Sequence, residues 1–282
     1  IVTVSGFTNY SLQDGITCGF VLNDNLILEA DLQNSTGGNI CPGIGLIVNI
    51  SDMFIDCAGY AIRYGGNSSN LGINISTKNN VTIKNCNITQ ASNYSTSYGL
   101  NFVNSNRSLV FNNTIFTNGL QSRGVRFSGG ANNNVTSNAI NSFANNSAVS
   151  SLYGVYAANS KNLSILNNYI STNGTNSENI IQLESSSDGA YIYNNTLFTN
   201  GSSLGGNTGL FVSSSSGIIA THNNVTIGGV APSYSFAFSA SNSNLVQNNN
   251  ISVLSGRYGV AFLGDSSHNL INNNLIYVKG TD

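Results

Sequence analysis

An all-β protein wound as a solenoid is what this sequence predicts, and three observations predict it. Polarity comes from Asn, Ser and Thr rather than from charge: charged residues make up 7% of 282, with 30 Gly and 2 Pro, against roughly 25% charged in an average globular chain. Asn and Gly favour turns while β-branched and aromatic residues favour strands, and good helix formers are scarce. From about residue 46 onward a unit recurs whose closing apolar residue returns every 24 to 30 residues, the period range of solenoids.

The most regular half of the unit has the form apolar-x-x-Asn-x-apolar. Its copies are VFNNTI (110–115), VTSNAI (135–140), ILNNYI (165–170), IYNNTL (192–197), ATHNNV (220–225), VQNNNI (246–251) and LINNNL (270–275), with IKNCNI (83–88) carrying Cys86 in the Asn position. The closing residues are Ile88, Ile115, Ile140, Ile170, Leu197, Val225, Ile251 and Leu275. A looser half precedes most of them: YGLNF from 98, RGVRF from 123, YGVYA from 153, TGLFV from 208 and YGVAF from 258. Each unit therefore holds at least two short alternating strands between Gly- and Asn-rich corners. Leucine-rich repeats share the string, LSILNNYI (163–170) above all, but that fold needs a further leucine where Ser160 stands and a helical or 3-10 return. The second, Gly-led strand fits a parallel β-helix instead, of about ten coils stacked ~4.8 Å apart.

In such a coil the position two before each closing residue points inward at a corner. It holds Asn113, Asn138, Asn168, Asn195, Asn223, Asn249 and Asn273. Stacked amides bond one another and the corner backbone, satisfying groups that are costly to bury unpaired, so these asparagines are expected to be structural rather than catalytic. The irregular stretch 1–45 is expected to form an N-terminal cap, and 46–282 one continuous β-helix domain.

The stretch ITCGFVLNDNLILEADLQNSTGGNICPGIGLIVNISDMFIDCAGYAI (16–62) resembles the first segment of right-handed parallel β-helix proteins of the NosD-like, PbH1-repeat type, a variety common among predicted archaeal surface proteins. The matching features are a Cys, a Y/F-x-L strand, a polar bend, a second Cys and IDCAGYAI (55–62). The last is similar to that family's I-D-x-x-G-x-x-I approach to the first full coil. The resemblance covers nearly the whole chain and implies a right-handed parallel β-helix; its motifs specify fold, not activity. NosD relatives are linked to copper-enzyme maturation, but His, Met and Cys are too few here to carry a copper site over.

The four cysteines fall into two pairs. Cys18 and Cys41 bracket the first segment, and Cys57 and Cys86 are 29 residues apart, about one coil. Two disulfides are the expectation and imply an oxidising, extracellular setting. Buried free thiols are the alternative; a metal site is disfavoured by the lack of a C-x-x-C or a His companion. Asn-x-Ser/Thr triplets occur at Asn9, Asn34, Asn49, Asn67, Asn74, Asn80, Asn87, Asn93, Asn106, Asn112, Asn134, Asn145, Asn162, Asn173, Asn194, Asn200, Asn224 and Asn250. Random order in so Asn-, Ser- and Thr-rich a chain gives on the order of ten or eleven, so placement says more than number. No ladder asparagine is a sequon, because the residue two later is the apolar closing one. Asn87, Asn224 and Asn250 stand one before that residue, and Asn112 and Asn194 three before, where alternation faces them to solvent. N-linked glycans are thus expected, pointing to an archaeal or eukaryotic source.

A net charge of −2 offers no electrostatic case for nucleic acid, and no apolar run approaches the ~18 residues of a membrane span. No positively charged start precedes an apolar stretch, so any secretion signal is expected to have been removed. Glycoside hydrolysis needs two carboxylates about 5–10 Å apart. Of the acidic residues, Glu178, Glu184 and Asp188 share one unit but have no acidic companions on adjacent units, and most others lie in the first segment. His222 and His268 stand alone at corners. Arg123 and Arg126 read as a solvated pair, with a grip on a sugar carboxylate as the functional alternative, and the tyrosines show no cluster. The expected function is therefore a structural, glycosylated extracellular subunit of a filament or surface layer, without catalytic residues, metal or cofactor other than glycans. Its expected partners are copies of itself and surface glycans, not nucleic acid or a membrane interior. The tail SSHNLINNNLIYVKGTD (266–282) leaves an open coil edge, and IVTV (1–4) offers a strand to meet it head to tail. The alternatives are a carbohydrate-active enzyme (a polysaccharide lyase or glycoside hydrolase), a glycan-binding module, or an adhesin spike.

Overall fold

The computed structural model describes residues 16–34, 37–66, 70–92, 96–144, 151–174, 178–201, 206–229, 233–254 and 258–279. Asn9, Asn67, Asn93, Asn145 and the IVTV stretch lie outside the described residues. Within these, the chain forms three parallel sheets of ten, ten and nine strands and no helix, each strand pairing with its equivalents one coil away. A coil runs from a wide strand such as Tyr98–Val103, through a short one, Leu109–Phe111, to a third, Thr114–Asn118. The regular string of the repeat thus straddles a corner, and each coil has three strands. The closing residues stack one above another in the third sheet, Ile88 on Ile115 on Ile140 on Ile170 on Leu197 on Val225 on Ile251. All seven are fully buried, and six of them, all but Leu197, are β-branched, a shape that suits a pleated sheet packed on both neighbours.

Stacking begins inside the segment assigned to the cap. Phe20–Leu22 pairs with Leu46–Val48, and Leu26–Ile27 with Met53–Asp56. Disulfides join Cys18 to Cys41 and Cys57 to Cys86, with Cα separations of 5.3 and 4.6 Å. The Cys86 N–H donates to Asn113 Oδ1 at 2.9 Å, so this disulfide occupies the ladder position on the coils where the amides have not yet begun.

The corner between the second and third sheets explains the Asn-Asn doublets. Its first residue has φ near +50°: Asn85, Asn112, Ser137, Asn167, Asn194, His222, Asn248 and Asn273. That left-handed conformation strains most L-residues and is tolerated best by Gly and Asn. The next residue turns inward. Asn113, Asn138, Asn168, Asn195, Asn223 and Asn249 are buried, and each accepts from the coil before it. Asn195 Oδ1 takes the Asn168 N–H at 2.9 Å and Asn168 Nδ2 at 3.0 Å, while its own Nδ2 donates to Ile165 O at 2.8 Å and Tyr193 O at 3.1 Å. The corner's backbone groups, cut off from water, are satisfied this way.

The last rung corrects the expected register. Asn274, not Asn273, accepts from Asn249 N and Nδ2, both at 2.9 Å, and Ile276, not Leu275, stacks on Ile251. Three successive asparagines flanked by Leu-Ile on both sides satisfy the apolar-x-x-Asn-x-apolar pattern in two frames. Pairing of Val246 with Ile271 selects the later frame. Asn273 instead takes the left-handed corner position and donates outward to Asn248 Oδ1 at 2.6 Å.

The other two corners carry devices of their own. Between the first and second sheets a buried serine ladder runs Ser160, Ser187, Ser215, Ser241, Ser266, each N–H donating to the next Oγ at 3.0–3.3 Å. Between the third and first sheets a column of glycines lets the chain pass the isoleucines. A β-carbon on Gly124 would lie 2.3 Å from Ile140 Cγ2 and 2.6 Å from the Gly154 carbonyl, and Gly72, Gly99 and Gly154 are as tight.

These contacts set measurable costs. Asn195→Ala strips an acceptor from two buried donors at ~1–3 kcal/mol each, so a loss of about 3 kcal/mol or more is expected in urea unfolding. In the last coil, Asn274→Ala is expected to cost roughly 1–3 kcal/mol and Asn273→Gly less than about 0.5; the opposite order would restore the frame with Asn273 inward. Gly124→Ala is expected to destabilise by about 1–3 kcal/mol through overpacking, read from the same midpoint shift.

Candidate functional site

The first sheet has the widest strands, seven residues in Leu152–Ala158 and Glu178–Glu184 against three in Ser164–Leu166 of the second. Alternate residues point inward into the core, which leaves the others as columns on a broad outer face. Register places Tyr98, Arg123, Tyr153 and Asn179 in one column, and Asn74, Asn101, Arg126, Tyr156 and Gln182 in the next. Sequence separations of 25 to 30 residues thereby become neighbours ~4.8 Å apart.

The tyrosines and arginines do form a cluster, where the sequence suggested none. Arg123 Cζ lies 3.8 Å from the Tyr156 ring centre, 5.1 Å from Tyr98 and 5.3 Å from Tyr153, within cation–π range. Arg126 Cζ is 5.1 Å from the Tyr98 ring, and its Nη1 donates to Asn101 Oδ1 at 2.8 Å, whose Nδ2 donates in turn to Asn74 Oδ1. The ion pairs among the described residues are Arg63–Asp31 and Lys84–Asp56, so neither Arg123 nor Arg126 is matched by a carboxylate. The nearby Glu184 is occupied: Tyr156 donates its hydroxyl to Oε1, and Gln182 Nε2 donates to Oε2 at 2.5 Å. Burial, with Glu184 beside it, pushes Tyr156 up to about 12 against the pull of the two arginines, so the phenol stays protonated. Further along the same face, a depression of about 200 Å³ is lined by Asn179, Gly206, Thr208, Phe211, Tyr234, Ala237 and Leu263. Tyr234 and Tyr258 stack beside it at 5.3 Å.

The other singled-out residues separate by depth. Among the described sequons, Asn49, Asn80, Asn87, Asn112, Asn162, Asn173, Asn194, Asn200, Asn224 and Asn250 are exposed, and Asn34, Asn74, Asn106 and Asn134 half-buried. His222 and His268 are exposed left-handed corner residues, the former 5.4 Å from the Tyr193 ring.

Glu178 differs from every other described acid by being fully buried. It stacks between Leu152 and Asn207 inside the coil, and Thr199 Oγ1 donates to its Oε2 at 3.1 Å. Burial outweighs that bond and the Gly174 amide and lifts the carboxyl from 4.5 to about 7. The folded state therefore holds a proton that the unfolded chain has released above pH 4.5. Stability is greatest below that value, falls as pH rises toward about 7, and levels off beyond. Glu178→Gln is expected to remove this slope and to raise stability at pH 8 by on the order of 3 kcal/mol relative to the parent, with little effect at pH 4; unfolding midpoints at the two pH values check it.

No curated protein matches the chain. Among solved structures, the periplasmic alginate epimerase AlgG is 11% identical at a TM-score of 0.47, covering 97% of this chain and 84% of its own. The Streptococcus pneumoniae surface protein and adhesin PfbA is 12% identical at 0.50, covering 97% and 89%. At these identities the likeness is one of fold. The family model for the right handed beta helix region matches residues 25–197, more than half the sequence and the coils that hold the ladder from Cys86 to Asn195. The chain belongs to the right-handed β-helix family.

Proposed function

We propose that this protein is a glycosylated structural rod of an extracellular surface assembly, a filament or surface layer, of the NosD-like, PbH1-repeat kind found on archaeal surfaces. The observation that carries this reading is the segregation of asparagine by depth: ladder asparagines are inside, and every described sequon asparagine is at least partly outside. Glycans can be attached to such a rod without disturbing its core. The disulfides on the first coils fit an oxidising compartment.

A bond-breaking role is not part of the proposal. Glu178 faces the interior and Glu184 the outer face of one strand, so they do not flank a glycosidic bond as a catalytic pair must.

Two measurements on native material test the reading. Glycopeptide mass spectrometry is expected to find saccharide on exposed sequons such as Asn80, Asn162 and Asn224; bare asparagine throughout would overturn glycosylation. Electron microscopy is expected to show rods joined end to end, and separate short rods at high concentration would sink the stacking mode.

A further inference from the structure

Two guanidinium groups lie side by side on one face with no carboxylate paired to either, and the nearby Glu184 is engaged by Tyr156 and Gln182. Arg123 is held among three phenol rings and Arg126 against one, and the Nε of each is buried without an acceptor. Arg–Tyr stacking fixes the guanidinium planes and lowers the entropy lost on binding. Around them stand the amides of Asn101 and Gln182, which are buried, that of Asn179, which is half-buried, and the half-buried rings of Tyr98, Tyr153 and Tyr156. Positive charge on one coil, set among amides and phenols of the coils beside it, is the chemistry that recognises an acidic sugar chain: guanidinium for carboxylate, ring face for pyranose, amide for hydroxyl.

A second observation is independent of these contacts. Described sequons fall on the second and third sheets and at corners, as at Asn87, Asn134, Asn162 and Asn224, and on the first sheet at Asn74 in Leu71–Ser76, yet the strands of the first sheet from Tyr98–Val103 to Tyr258–Leu263 contain none. From Tyr98–Val103 onward this face thus lacks attachable glycans of its own, and this is the stretch that bears the cluster and the adjoining depression; Asn74, the sequon one coil before it, is half-buried and accepts from Asn101 Nδ2.

We propose that the outer face of the first sheet is a binding site for a carboxylate-bearing polysaccharide, with Arg123 and Arg126, side by side on one strand, holding its carboxylates and Tyr98, Tyr153 and Tyr156 packing against its rings. The protonated Tyr156 is a hydrogen-bond donor there, not a base, so the site holds its ligand unchanged. This site stands or falls apart from the stacking of rods.

The test is affinity electrophoresis of the full chain through gels containing polygalacturonate, its methyl ester or dextran sulfate. Polygalacturonate is expected to retard the protein, less so at higher salt, and the methyl ester is not. Arg123→Gln and Arg126→Gln are each expected to weaken binding about tenfold or more, the loss of one charge-assisted contact, and Arg126→Lys to weaken it less. Lys161→Gln, off this face, leaves it unchanged. In the unaltered protein, polygalacturonate is expected to protect Arg123 and Arg126 from phenylglyoxal, a readout that needs no variant to fold. No retardation by polygalacturonate, equal retardation by its ester, stronger retardation by dextran sulfate, or undiminished binding in the double glutamine variant each overturns the proposal.

Discussion

Every coil of this rod has to turn corners in a place water does not reach. A corner breaks the sheet ladder and leaves N–H and C=O groups with no strand opposite, and a buried group left so costs ~1–3 kcal/mol. From Asn113 onward the inward amide of one asparagine per described coil meets that demand with both a donor and an acceptor, and it does so by bonding its equivalents on neighbouring coils. The rest of the architecture depends on this stacking. It holds successive coils in register, so the isoleucine column and the glycine column fall opposite one another, and it allows loops between coils to vary in length without disturbing the interior.

The same arrangement divides the sequence's commonest polar residue into two populations. Asn168 and Asn195 are locked between coils, whereas Asn167 and Asn194, one residue earlier, take the left-handed turn and face solvent. An Asn-rich composition that resembles low complexity is therefore two columns with different physical tasks. Carrying polarity on amides rather than charges also keeps like charges from stacking ~4.8 Å apart along the rod. Glu178 is the exception, a carboxyl in a column otherwise neutral, and its raised pKa is the consequence.

Much of the fold was legible in single residues. The Asn ladder, the Cys57–Cys86 spacing and the Gly-led strand each leave a fixed residue type at a fixed place in the repeat. The serine ladder was not legible, because Ser187 or Ser215 stands in runs of serine that offer several frames. The final rung misled for a similar reason: Asn272, Asn273 and Asn274 are equivalent until strand pairing chooses among them.

The sequence by itself determined a β-solenoid with amide-lined corners, because those features are local and recur with each period. It also set which asparagines are sequons and, through alternation, that they face outward. Only the tertiary structure decided what lies beside what across coils. Tyr98, Arg123 and Tyr153 become neighbours through the lengths of the loops between them, and those lengths vary from coil to coil. The cluster that offers this rod a chemistry beyond support is thus invisible to periodicity, since adjacency on a stacked face is set by register and not by separation along the chain.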